Sequence, residues 1–145
     1  RPGRERTTMM LRNLPNSYSR AMLLETLDEE GFAGAYDFLY MPMDFARSCN
    51  LGYAFINLVE ASVVPRFRLA FSGYSSWRVR SSKICQVTWS DRDQGLKANM
   101  RRYRNSAVMH RSVPDEYKPC LFSGGVRVPF PGPHGRLPRP QGRRT

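Results

Sequence analysis

The eight residues from Leu51 to Leu58, LGYAFINL, constrain the fold of this chain more than any other stretch. They alternate as a β-strand does, so Tyr53, Phe55 and Asn57 point to one side of a sheet. The small and aliphatic residues between them point to the other side and suit a hydrophobic core. Two aromatic rings are thereby expected on the face opposite the core, where flat rings can stack on unpaired bases.

This octamer resembles the ribonucleoprotein octamer of RNA recognition motifs, which runs basic, Gly, aromatic, small, aromatic, aliphatic, any residue, aromatic. Gly52, Tyr53 and Phe55 match it. Leu51 replaces the basic residue and removes a phosphate contact, and Leu58 replaces the last aromatic residue. The alternative for the octamer alone is an ordinary half-buried strand of a β-sandwich.

Five further segments carry helix or strand patterns. In chain order they are a strand over 7–14, a helix over 19–30 capped by Ser19, a strand over 36–45, a helix from a Ser62 cap to Gly73, and a strand over 83–90. With the octamer the order is βαββαβ. Right-handed crossovers then give an α+β, ferredoxin-like fold, a four-stranded antiparallel sheet with two helices on one face.

The sheet face without helices is the candidate binding surface. Tyr53 and Phe55 are expected to stack two bases, and Met10 takes a position beside them where a thioether can lie against a ring. Polar residues expected to read base edges or sugar hydroxyls are Arg12, Asn57, Gln86 and Thr88. Tyr40 is a further candidate whose facing the pattern does not fix. Trp89 is expected in the core instead, with Cys85 and Val87.

A third helix is predicted over residues 91–105, with Asp91 and Gln94 as a variant capping box. Its apolar stripe consists of Leu96, Met100, Tyr103 and Ala107. Three arginines lie mostly outside this stripe and are expected to bind phosphates, namely Arg101, Arg102 and Arg104. Three placements stay open: the helix packs beside the sheet and extends its surface, lies across the sheet and shields the rings until RNA displaces it, or serves structure alone.

The formal charge of +11 is concentrated in the last third of the chain. Residues 1–96 have a net charge of +2, and residues 97–145 have a net charge of +9. Of 23 basic residues 20 are arginines, which pair with phosphate and stack on bases, so a nucleic-acid partner is favoured over a tail kept for solubility.

Composition divides the chain into four parts. We expect residues 1–6 to be a disordered lead-in, 7–90 the RNA recognition motif and 91–118 a helical extension. Residues 119–145 contain 11 Pro and Gly among 27 and are predicted to be disordered, with a non-specific attraction for phosphates. The chain begins with Arg rather than Met, so we expect a segment of a longer protein.

Several classes of function find no support in the sequence. Cys49, Cys85 and Cys120 are far apart, and neither they nor the two histidines have metal-ligand spacing. No nucleophile has an evident base partner, and no run approaches the ~20 apolar residues of a membrane span. We therefore expect no enzyme, metal, cofactor, small-molecule substrate or membrane. The unpaired cysteines favour a reducing compartment, the nucleus or the cytoplasm.

Longer stretches narrow the resemblance. They are residues 10–16 (MLRNLPN), 36–45 (YDFLYMPMDF), 49–57 (CNLGYAFIN) and, more weakly, 118–122 (KPCLF). Together, over about 7–122, they resemble the C-terminal RNA recognition motif of the Mei-two-like proteins, RNA-binding regulators of meiosis and development. RNA recognition motifs usually have an aromatic residue at the position of Met10 and a basic residue at the position of Leu51. The resemblance implies that in this family Met and an aliphatic residue are usual at these two positions.

The resemblance implies a single-stranded RNA-binding module of a longer post-transcriptional, meiotic or developmental regulator. The alternative is a protein–protein interaction module of the same architecture. That alternative gains support if the third helix lies fixed across the sheet and buries both rings of the octamer.

Overall fold

The computed structural model of the chain describes residues 5–140. Its elements in chain order are β1 (Thr8–Arg12), α1 (Arg20–Leu27), β2 (Tyr36–Tyr40), β3 (Met43–Asp44), β4 (Cys49–Asn50), β5 (Tyr53–Leu58), α2 (Val64–Phe71), β6 (Gln86–Trp89), α3 (Leu96–Arg104), β7 (Cys120–Ser123) and β8 (Val126–Val128). Most of the predicted lead-in, residues 1–4, and the end of the predicted tail, residues 141–145, lie outside the described residues.

Six strands form one antiparallel sheet in the order β6-β1-β5-β2-β7-β8. The four strands β6-β1-β5-β2 with α1 and α2 confirm the predicted βαββαβ fold. β3 and β4 pair separately as a short hairpin. With β7 and β8, the main sheet has two more strands than the four that the sequence indicated.

The first core lies between the sheet and the two helices α1 and α2. The alternation read in β5 is confirmed on this side, because Ala54, Ile56 and Leu58 are fully buried. Burying an aliphatic side chain of this size contributes about 1.5–3 kcal/mol. The main partners from the helices are Leu23, Leu27, Phe67 and Phe71. Trp89 packs against the same core, half-buried, with the Arg6 guanidinium 4.5 Å from its ring centroid.

The predicted cap is present at the start of α1 and absent at the start of α2. The Ser19 side chain accepts a hydrogen bond from the Met22 N–H at 3.1 Å, and Gly31 takes a φ of +98° where the helical turns end. The prediction that Ser62 caps α2 is wrong, because residues 61–63 form a 3₁₀ turn that leads directly into α2. Pro65 lies in the first turn, where a missing N–H has no cost.

β2 is shorter than the predicted strand over 36–45, and the chain turns into the β3–β4 hairpin after Tyr40.

The buried amide of Asn50 holds the β3–β4 hairpin to its neighbours. The Asn50 side chain donates to the carbonyls of Pro15 and Tyr18, both at 2.9 Å, and accepts from the Gly52 N–H at 2.6 Å. Asn50 thus fixes the loop after β1 against the start of β5.

The prediction that residues 119–145 are disordered is wrong for the part that forms β7 and β8. β7 pairs with β2, with Phe38 opposite Leu121, and β8 pairs with β7 across a turn at Gly124 and Gly125. Both glycines have a positive φ, which a tight turn requires and which other residues rarely adopt. The hairpin extends the sheet beyond its predicted edge.

An ion-pair cluster attaches this C-terminal hairpin to α1. The largely buried Arg20 donates to the carbonyls of Asp115 and Lys118, at 2.7 and 2.8 Å, and to the Asp115 carboxylate at 2.7 Å. Arg127 of β8 donates to the same carboxylate at 3.0 Å. Hydrogen bonds from Arg127 and Arg20 lower the pKa of Asp115 to about 2.

Candidate nucleic-acid interface

Helix α3 divides the sheet face opposite α1 and α2 into a covered and an uncovered half. The covered half lies over β2, β7 and the middle of β5. Four of its side chains are buried in a second core, namely Phe38, Phe55, Tyr103 and Leu121. The uncovered half lies over β6, β1 and the start of β5. Its residues are half-buried or exposed, namely Met10, Arg12, Tyr53, Gln86 and Thr88.

The stripe predicted on the third helix is the surface that docks on the sheet. Leu96, Met100 and Tyr103 pack in the second core, whereas Ala107 falls in a separate 3₁₀ turn. The Tyr103 ring lies 4.7 Å from that of Tyr40, centroid to centroid, and 5.9 Å from that of Phe38. Burial raises the pKa of both tyrosine hydroxyls. Of the three placements considered, α3 takes the one across the sheet.

Phe55 does not stand on an open face, and this part of the sequence prediction is wrong. Its side chain is 3% exposed, because α3 and the second core cover it. The Arg92 guanidinium lies 4.8 Å from the Phe55 ring centroid and donates to the Tyr103 hydroxyl at 3.1 Å. Arg92 thus links the covered ring to the helix that covers it, a cation–π contact that the sequence pattern did not indicate.

Asn57 is also not available to a ligand, contrary to prediction. It is 3% exposed and its carbonyl oxygen accepts from the Thr7 and Thr8 hydroxyls at 2.8 and 2.7 Å. Its amide donates to Asp37 at 2.8 Å, and burial raises the pKa of that carboxyl. Every polar atom of the Asn57 side chain therefore serves a buried network at the end of the sheet.

The same end of the sheet anchors the start of α3. The Gln94 carbonyl oxygen accepts from the N–H groups of Thr7 and Thr8 at 2.9 and 2.8 Å, and its amide donates to Thr8 and Ser90 carbonyls. The buried Asn99 donates to the Thr8 hydroxyl at 3.2 Å. The capping box predicted for Asp91 and Gln94 is therefore wrong, because Gln94 pairs with β1 and α3 begins only at Leu96.

The uncovered half holds the partly exposed ring of Tyr53 in a polar and cationic setting. Tyr53 lies opposite Arg12, and its ring meets that of Phe55 edge to face at 5.7 Å. Met10 is opposite Thr88 and Arg12 is opposite Gln86 on β6. Two shallow cavities of about 470 and 640 Å³ share the side chains of Met10, Arg12 and Tyr53. Thr88, Asp91 and Arg92 extend the first cavity, and Asn16, Leu51 and Lys83 extend the second.

The three arginines of α3 differ in what they already contact. Arg102 forms an ion pair with Asp93. Arg104 donates to the Gly132 carbonyl from two nitrogens, at 3.0 and 2.6 Å. Arg101 is exposed and has no ion pair within residues 5–140. Of the three arginines predicted to contact phosphates, Arg101 is therefore the one whose guanidinium has no ion pair or hydrogen bond with another described residue.

Comparison with known proteins agrees with this architecture. The sequence model of the family described as RNA recognition motif 2 matches residues 6–104, which include all of the βαββαβ unit and α3. The chain belongs to the RNA recognition motif 2 family. Among solved structures, the one titled "Structure of RNA15 RRM" superposes with a TM-score of 0.50 at 18% identity, over 60% of this chain and 92% of that chain, and so shares the fold.

Relatives of this RNA recognition motif 2 domain confirm the Mei-two-like resemblance. The chain is 40% identical over 131 residues to Protein MEI2-like 1 of Arabidopsis thaliana, covering 87% of this chain and 14% of that protein. It is 38% identical over 135 residues to Meiosis protein mei2 of Schizosaccharomyces pombe, covering 89% of this chain and 17% of that protein. The chain thus corresponds to a small part of each of these longer relatives.

The described part of this RNA recognition motif 2 domain contains neither a grouped set of metal ligands nor a helix suited to a membrane. Within residues 5–140, no three His, Cys, Asp or Glu side chains are grouped so that they could hold a metal ion. In the same part of the chain, no helix combines the length and apolar character that crossing a membrane requires. Cys85 and Cys120 are buried, and burial raises the pKa of the Cys85 thiol to about 12.

Proposed function

We propose that this domain binds single-stranded RNA on the uncovered half of its sheet, with Tyr53 as the base-stacking residue. The observation that carries the proposal is the half-exposed Tyr53 ring, held edge to face by the buried Phe55 and bordered by Arg12 and Met10. An accessible ring beside cationic and polar side chains suits an unpaired base with its phosphate, because every base has a π-face.

The surrounding side chains divide the remaining tasks in this proposal. Met10 lies beside the stacked base, and the Arg12 and Arg92 guanidinium groups approach its phosphate or its carbonyl oxygens. Gln86 and Thr88 are exposed on β6 and carry the donors and acceptors that base edges and 2′-hydroxyls require. Tyr40 packs against Tyr103 of α3, and in this proposal it supports the surface instead of stacking a base.

The printed names of the relatives extend the proposal to the longer protein. Because relatives are called Protein MEI2-like 1 and Meiosis protein mei2, we infer one RNA-binding module within a regulator of meiosis or development. Residence in the nucleus or the cytoplasm belongs to the same proposal. The function proposed is binding alone, without a catalytic step, a cofactor or a small-molecule substrate.

Titration of the 145-residue chain with a pool of short single-stranded RNAs tests the proposal. Tyr53→Ala should weaken binding by about 1–3 kcal/mol, the contribution of one stacked base. Tyr53→Phe is the matched control and should bind like the wild type, because it keeps the ring. Equal binding by the alanine variant and the wild type would show that the sheet is not the site.

A protein partner remains the second candidate because α3 lies across the sheet and Phe55 is buried. Phe55 is covered, however, whereas Tyr53, which packs against the same core, stays partly exposed. That exposure supports RNA over a protein-binding use of the helices, which needs no accessible ring. If Tyr53→Ala leaves RNA binding unchanged, the faces of α1 and α2 become the surfaces to screen for protein partners.

A further inference from the structure

A groove with positively charged walls lies at the C-terminal end of the domain, apart from the uncovered half of the sheet. Its volume is about 1300 Å³. One wall is the segment after α3, residues 109–112, and the other is the last described segment, residues 133–139. Its basic side chains are His110, Arg111, Lys118, Arg136 and Arg139. Among the described residues that line the groove, none is acidic.

Hydrogen bonds hold the first wall and the start of the second wall in place. In the first wall, the His110 ring nitrogen Nδ1 lies 2.9 Å from the Ser112 hydroxyl, and the His110 carbonyl accepts from the N–H of the buried Val113. The second wall is tied to the end of α3, where Arg104 donates to the Gly132 carbonyl and Asn105 accepts from the His134 N–H at 2.8 Å. The first wall and the start of the second wall are therefore attached to the folded domain.

The cationic groups of the groove have no acidic partner. Within residues 5–140, none of the four Lys and Arg side chains forms an ion pair, while Arg20, Arg78, Arg102 and Arg127 elsewhere do. Arg111, Arg136 and Arg139 are exposed. Unpaired guanidinium groups facing one another across a groove repel, so a polyanion between them is stabilised.

We propose that this groove holds the phosphodiester backbone of the RNA whose bases stack on the sheet, an inference that rests on the proposed function. The body of the chain, residues 1–96, has a net charge of only +2, so beyond the few cations beside Tyr53 it offers little attraction for further phosphates. Residues 97–145 carry +9, and the groove gathers part of that charge. Arginine pairs with phosphate in a bidentate geometry, and Pro133, Leu137 and Pro138 offer apolar surface to sugars and bases.

Contacts in the groove are with the backbone and carry no sequence information. They add affinity only when the RNA is long enough to reach from the sheet past α3. The proposal therefore predicts that RNA length, rather than RNA sequence, determines whether the groove contributes. An acidic protein segment is the competing occupant, and it predicts no effect of the groove on RNA.

The test measures RNA affinity of the full chain with one substitution in each wall, Arg111→Gln together with Arg136→Gln. Uridine oligonucleotides of about 4 and about 16 nucleotides are used at several salt concentrations. The matched control, Arg66→Gln with Arg80→Gln, removes two exposed charges from α2 and the following loop. Circular dichroism establishes that all variants are folded.

We expect the groove variant to bind the longer RNA roughly tenfold more weakly than the wild type. The slope of log affinity against log salt concentration should be smaller in magnitude by about 1.4, because two phosphate contacts are lost. Its affinity for the shorter RNA, and the affinity of the control for both, should change by less than about twofold. Unchanged binding of the longer RNA, an equal loss with both lengths, or a loss matched by the control would overturn the inference. Tyr53→Ala distinguishes the two claims, because it should weaken the binding of both lengths whether or not the groove contributes.

Discussion

Two amide side chains that the sequence assigned to the same task, Asn57 and Gln86, have opposite surroundings. Asn57 is buried and its carbonyl and amide groups pair with Thr7, Thr8 and Asp37. Gln86 is exposed on β6, and its side chain forms no hydrogen bond with another described residue. At the scale of single residues, one amide stabilises the fold and the other is free to meet a ligand.

Substituting each amide by alanine should therefore separate stability from binding. Asn57→Ala leaves buried hydroxyl and carboxyl groups without a partner and should lower the free energy of unfolding by about 1–3 kcal/mol. Gln86→Ala should change stability by less than about 0.5 kcal/mol but weaken RNA binding. Urea unfolding and RNA titration of both variants check this. A stable Asn57→Ala variant that has lost RNA affinity would contradict the assignment.

The element that departs most from expectation is the β7–β8 hairpin. Its attachment to α1 depends on Asp115, which Arg127 and Arg20 hold ionised with a pKa of about 2. A carboxyl whose pKa is lower in the folded chain stabilises it above the unfolded pKa of about 3.9, and this contribution is lost as the pH falls toward 2. The Asp115 side chain is 65% exposed, so solvent screening keeps the contribution small.

Asp115→Asn should lower the free energy of unfolding by about 1 kcal/mol at pH 7. The difference between variant and wild type should stay constant down to about pH 4 and shrink below it. Urea unfolding at pH 7, 5 and 3 measures the difference, and hydrogen exchange of residues 120–128 reports on the hairpin itself. A difference that grows as the pH falls would have the wrong sign for this ion pair.

Elements defined by local patterns were predictable from the sequence. The alternation of β5, the Ser19 cap and the Gly31 stop all depend on neighbours within a few residues. The hairpin also had a local signal, two short strand-like runs around Gly124 and Gly125. The high Pro and Gly content of residues 119–145 obscured that signal when composition was averaged over the whole tail.

Properties that depend on distant partners were not predictable. The stripe of Leu96, Met100 and Tyr103 showed that α3 docks somewhere, but only the folded chain shows that it docks on Phe38 and Phe55. The burial of Asn57 likewise depends on Thr8 and on the segment before α3. Polar residues at strand positions can face a ligand or a docked helix, and the period of a strand does not distinguish these cases.

At the scale of the whole molecule, the sheet has a hydrophobic core on each side. One lies under α1 and α2, and the other lies under α3 and the C-terminal segment, where Val128 and Phe130 also pack. The predicted boundary at residue 90 therefore cuts through a packed layer. Residues 91–128 complete the domain instead of trailing from it.

A chain that ends at residue 92 should be markedly less stable than the full chain. It would expose Phe38 and Phe55, which are 0% and 3% exposed in the intact domain, at roughly 1.5–3 kcal/mol for each side chain. We expect a lower melting temperature and binding of a dye that reports exposed apolar surface. A chain ending at residue 140 keeps both cores and should melt like the full chain. Identical melting of the shorter chain would show that the second core contributes nothing.

The most direct test of the account compares the same substitution at two positions of β5, Tyr53→Leu and Phe55→Leu, by RNA titration of folded protein. Leucine keeps an apolar side chain at each site but removes the ring. If RNA stacks on the uncovered half, Tyr53→Leu should lose about 1–3 kcal/mol of binding free energy, whereas Phe55→Leu should bind within about twofold of the wild type. Equal losses, or a larger loss at Phe55, would contradict the claim that RNA binds on the uncovered half of the sheet while α3 stays in place.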